Sequence, residues 1–123
     1  MAHAAQTIDW FVQGAFEPTG FDIDFPAHDA KVRDVTSLAD ARAWLARSVE
    51  GARQVIAANS DEAWGQPLPA GPIMGSLPRV AIFGAIIDHT AHHRGALTVY
   101  ARLRGKVPPM PYMDPPEEAA ASV

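Results

Sequence analysis

The chain contains no cysteine. That excludes disulfides, a thiolate nucleophile and a cysteine-ligated metal, and it leaves His, Asp and Glu as the available ligand types. Any thiol that reacts here must arrive from outside. Also missing is an apolar run near the roughly 18 residues needed to cross a bilayer, and the N-terminus lacks the basic-then-apolar order of a signal peptide. The expected location is cytoplasmic, with no membrane partner. Positive charge is scarce: 10 Lys and Arg face 14 Asp and Glu, for a formal net charge of -4. No basic cluster occurs beyond Arg102, Arg104 and Lys106. A nucleic-acid partner is therefore not expected, because affinity for a phosphate backbone comes mainly from cations that neutralise it. Strand-period segments, a Gly-rich phosphate loop, a G-x-S-x-G motif and internal repeats are absent as well.

What remains reads as helices only. A chain of 123 residues is one domain with a single core. Residues 1–113 are expected to form the helical domain and 114–123 an acidic, mobile tail.

The organising stretch runs from Pro78 to Gly105, PRVAIFGAIIDHTAHHRGALTVYARLRG. At about 100° per residue, Ile82, Ile86, His89, His93, Ala96, Tyr100 and Leu103 fall in one stripe with the spacing of a bundle seam. Proline is suited to the first helical turn, and Gly105 followed by Pro108 and Pro109 supplies the stop. The three cations near its end suit the negative pole of the helix dipole. His89 and His93 thus stand where a core would carry Leu. Burying both rings costs free energy unless each finds a partner. One divalent cation would serve both; ordinary core histidines bonded to nearby side chains or carbonyls are the alternative, and spacing alone does not decide between them. His92, at the edge of the stripe, reads as a flanking residue.

Upstream, Met1 to Phe16 reads as a helix with the stripe His3, Thr7, Trp10 and Gly14. On its own, a histidine so near a terminus is most simply solvated. Glu17 to Thr36 has no sustained period and reads as a loop packed by Phe21, Ile23 and Phe25, with a helical turn near His28 to Val35. Asp22, Asp24, His28 and Asp29 there read as solvated positions rather than a cation site. Ser37, with Asp40 three residues on, opens a helix whose inward face is Leu38, Ala41, Leu45, Val49, Ala52 and Ile56, ending at Asn59. Asn59 to Leu77 holds three Pro and three Gly and reads as an irregular connection. After Gly105 comes an extended strap in which Tyr112 and Met113 are expected to pack back.

The segment DHTAHHRGALTVYARLRGKVPP closely resembles the last helix of the DinB/YfiT-like superfamily, with its His-x-x-x-His-Arg-Gly signature, aliphatic stretch and Gly-x-x-x-Pro exit. AHAAQTIDWF resembles that family's second helix, where a histidine precedes an aromatic pair. The resemblance implies an all-α fold, a DinB/YfiT-like four-helix bundle, with a divalent metal held by three histidines. Carried onto this chain they are His3, His89 and His93, with Zn, Ni, Fe and Mn not distinguishable. Three nitrogen ligands leave positions open to water or substrate, as in catalytic sites. Family members usually carry a further helix ahead of the histidine-bearing second one. Three of the usual four are therefore expected here: either the chain is a truncated member whose start lies upstream, or another copy completes the bundle, and because a three-helix remnant exposes an apolar face a homodimer is expected.

The activity implied is that of the thiol S-transferase and isomerase branch, acting on a small-molecule substrate with a low-molecular-weight thiol whose pKa the metal lowers. A hydrolytic variant would use the same residues. Trp10 and Tyr100 are candidates for substrate contact or plain core, and Asp88 for orienting an imidazole or for solvent. The alternative from another class is a non-catalytic, stress-associated metal-binding module.

Overall fold

The computed structural model describes residues 1–110, and these form helices with one isolated β-bridge and no strand. The strap and tail expected from Pro111 onward, including Tyr112, Met113 and the boundary at 113, lie outside the described residues. By packing, the chain divides into a unit spanning Met1–Thr90 and a second from Ala91 onward.

In the first unit α1 (Ala2–Phe16) packs against α2 (Phe25–Arg33) and α3 (Leu38–Ala58). The core gathers Val12 and Ala15 of α1 with Trp64, Leu68 and Ile82, and Phe16, Phe21, Val55, Met74 and Phe83 close around it. Trp64 is its aromatic centre, edge-on to Phe16 at 4.9 Å and 5.0 Å from Phe83. Arg79 lies over the Phe16 ring at 4.8 Å and donates to the Ala63 carbonyl.

Segment Glu17 to Thr36 is more ordered than its sequence implied. Asp24 caps α2 by accepting from the Ala27 amide at 3.0 Å, and Pro26 occupies the first turn. Proline there needs no amide partner, so the helix begins at Phe25 rather than near His28. Asn59 to Leu77 also contains a regular element: α4 (Asp61–Gly65), a single turn capped by Ser60 and anchored by buried Trp64.

Pro67 and Pro78 then face each other in the antiparallel bridge. Neither has an amide hydrogen, so flanking residues make the bonds, Leu68 N–H to the Leu77 carbonyl at 2.8 Å and Arg79 N–H to the Gln66 carbonyl at 2.9 Å. Val80 N–H goes to the Trp64 carbonyl. Tighter turns lead into the helix, with Ala81 N–H bonded to the Pro78 carbonyl at 2.9 Å and Ile82 N–H to the Arg79 carbonyl at 3.1 Å, and α5 (Ala81–Leu103) starts three residues after Pro78.

The inward face of α3 is rotated from the one its periodicity suggested. Ala41 and Ser48 are buried, Trp44, Leu45, Ala52 and Val55 half-buried, while Leu38, Val49 and Ile56 are exposed. Small side chains at Ala41 and Ser48 suit close approach to α1, and the Ser48 hydroxyl is satisfied by the Trp44 carbonyl at 3.1 Å. The larger aliphatics therefore fall on a second ridge.

Gly14 sits under the Phe21 ring, where a Cβ would overlap it. That ring is pinned by Trp10 and Phe11, with centroids 4.9 and 6.0 Å away. Gly14→Ala is expected to lower stability by about 1–3 kcal/mol through overpacking, read as a shifted urea midpoint at constant slope. An unchanged midpoint would mean that Phe21 moves aside freely.

From Ala91 onward α5 presents Leu97, Val99, Tyr100 and Leu103 as exposed residues, Leu103 at 76%. The seam inferred from periodicity is thus buried at Ile82, half-buried at Ile86, His89 and His93, and exposed at Ala96, Tyr100 and Leu103. Gly105, at φ 73°, ends the helix, with Lys106 N–H reaching back to the Ala101 carbonyl at 2.9 Å.

Candidate metal centre

His3 stands in the first turn of α1, where its carbonyl accepts from the Thr7 hydroxyl at 2.9 Å. Thr7 is buried, so this bond satisfies a hydroxyl that would otherwise be costly to enclose. His89 belongs to α5, 86 residues further along the chain. The two Nε2 atoms lie 3.2 Å apart, with ring centroids at 4.9 Å and planes at 61°. Both rings are half-buried. Two imidazoles brought nitrogen to nitrogen can share one proton in a hydrogen bond, or turn both lone pairs toward one cation.

His93 follows one helical turn after His89 on α5, on the same face of that helix. His3, His89 and His93 are each half-buried and could bind a metal ion. The donor chemistry fits: neutral imidazole suits Zn, Ni, Fe and Cu, and the group includes no carboxylate or thiolate.

Other residues singled out in the sequence fall elsewhere. His92 is exposed and meets the His93 ring edge-on at 5.2 Å. Asp88 is exposed. Tyr100 is 66% exposed rather than part of a buried seam. Trp10 is half-buried, and its indole N–H donates to the Asp22 carbonyl at 2.6 Å. His28 approaches Asp22, Nε2 to Oδ2 at 3.4 Å, as a pair. One feature had no counterpart in the sequence reading. Gln6, Asp9 and Gln13 form a polar stripe on α1 that Glu17 continues at its C-cap, and the four line a cleft completed by Trp44 of α3. Their spacing of three and four was visible in the sequence, but a polar stripe on a helix is ordinarily a solvated face.

A family model described as the DinB superfamily matches residues 1–97. The chain belongs to the DinB superfamily, and its helical fold accords with that. No curated protein and no solved structure matched it. No helix among the described residues is long and apolar enough to cross a membrane.

Proposed function

We propose that His3, His89 and His93 hold a divalent metal ion and that the protein is a metal-dependent enzyme of the thiol S-transferase, isomerase or hydrolase type acting on a small molecule. The observation that carries this reading is the approach of two Nε2 atoms to 3.2 Å from helices far apart in sequence. Superfamily membership supports it. A bound metal would act as a Lewis acid, lowering the pKa of a coordinated small thiol or water. The chain's own residues hold and orient. Thr7 ties the first turn of α1 at His3, and the continuous backbone of α5 fixes the register of His89 and His93. No side-chain thiol is available, so the nucleophile is a low-molecular-weight thiol or water.

A non-catalytic metal-binding module is the second reading. It is favoured by the absence of any carboxylate from the histidine group, which leaves no general base among those residues. Turnover separates the two. Metal-loaded protein incubated with an aromatic electrophile and a panel of small thiols is expected to form thioether above the buffer rate, and to lose that rate in His89→Ala. Metal retained without turnover of any thiol or ester substrate would leave only the module.

We also propose that the chain forms a homodimer within the cytoplasm. Its support is the set of exposed aliphatic residues on α3 and, separately, on the second half of α5.

A further inference from the structure

The first unit contains a concavity of about 540 Å³ between the polar stripe of α1, the loop ahead of α2, and Trp44. Its size is that of a small-molecule site. Its walls include the indoles of Trp10 and Trp44, and both indole N–H groups are already engaged. Trp44 donates to Asp9 Oδ2 at 2.7 Å and Trp10 to the Asp22 carbonyl at 2.6 Å. Trp10 also packs against Phe11, Phe21 and Phe25, with centroids 4.9, 4.9 and 6.1 Å away, so the π surface offered to an occupant is chiefly that of Trp44, and its quadrupole attracts positive charge.

The charged side chains favour the same sign. Asp9, Glu17 and Asp22 line the cleft against one lysine, Lys31, which is exposed. His28 pairs with Asp22. Asp9 is half-buried and bonded to a neutral indole, and among the described residues no Lys or Arg forms an ion pair with it. A carboxylate partly withdrawn from water and lacking a countercharge lowers its free energy by meeting a cation.

We propose that this cleft binds a small organic cation, a primary or quaternary amine on an apolar body, with Asp9 as counter-ion and Trp10 and Trp44 as walls. The site is independent of the histidine group and holds whether or not that group binds metal.

Calorimetric titration of the full chain tests it with benzylamine, phenethylamine and choline. Benzyl alcohol and phenethyl alcohol serve as neutral counterparts and phenylacetate as the anion. At least one amine is expected to bind at least tenfold more tightly than its neutral counterpart, and phenylacetate not at all. Asp9→Asn removes the charge but keeps an oxygen to accept from Trp44, so the cleft persists; amine affinity should fall about tenfold while the urea midpoint stays put. Chelator treatment should leave amine binding unchanged. Binding of alcohols as tight as amines, full affinity in Asp9→Asn, loss of binding on chelation, or no heat with any amine would each overturn the proposal. Should Asp9→Asn shift the urea midpoint, Lys31→Ala decides: it leaves the Trp44 to Asp9 bond alone and should raise amine affinity, and lowered affinity would count against the site.

Discussion

Alanine at His89 or His93 is expected to remove bound metal almost completely. Protein purified in the presence of zinc should carry about one ion per chain by mass spectrometry, and either variant less than a tenth of that. Three imidazole ligands leave little redundancy. Disturbing even an outer-shell partner of a ligand typically costs about 10–100-fold in affinity, so loss of a ligand should exceed that. His3→Ala should behave alike, because its Nε2 lies 3.2 Å from that of His89. His92→Ala is the control, an exposed neighbour whose loss should leave metal content unchanged. Binding to the folded state alone also stabilises it, by about 4 kcal/mol when free metal is about 1,000 times Kd. Chelation should therefore lower the melting temperature by roughly 15 °C. Metal retained in both His89→Ala and His93→Ala would remove the site.

The second large effect concerns association. Leu97, Val99, Tyr100 and Leu103 are exposed at 62%, 57%, 66% and 76%, a density of apolar side chains unusual for a surface helix. Sedimentation at about 10 μM should give twice the chain mass, and Leu97→Glu with Leu103→Glu should return it to the monomer with at least a hundredfold weaker association, since buried carboxylates at a contact are strongly unfavourable. Melting of the double variant should also lose its dependence on protein concentration. A monodisperse monomer of the unaltered chain would end the proposal.

The long helices were legible because their signals are local. Ser37 with Asp40, the Gly105 stop and the run from Ile82 to His93 each act within a few residues. The pairing of His89 with His93 on one face followed from helical spacing. The meeting of His3 with His89 did not; it came from the family resemblance, since no local rule joins residues 86 apart. Where the reading failed, tertiary structure decided. Pro78 looked like a helix start, yet it sits in the bridge with Pro67, and tight turns in which Ala81 N–H donates to its carbonyl and Ile82 N–H to that of Arg79 lead into the α-helix, which begins at Ala81. Leu38, Val49 and Ile56 gave α3 its hydrophobic period, but α1 approaches along Ala41 and Ser48 instead. Periodicity marks apolar faces and does not say which one a neighbour will cover. Pro26, read as part of a loop, instead occupies the first turn of α2.

The bridge between Pro67 and Pro78 brings the chain back to the point it left. Between them the backbone turns at Met74 and Gly75, with φ of 55° and 60°, and Gly75 and Ser76 lie exposed at the tip. A peptide grafted between Gly75 and Ser76 would hang from a closed loop rather than pry apart packed helices. That joint is the natural place for an epitope, a fluorophore or a scission site on this scaffold.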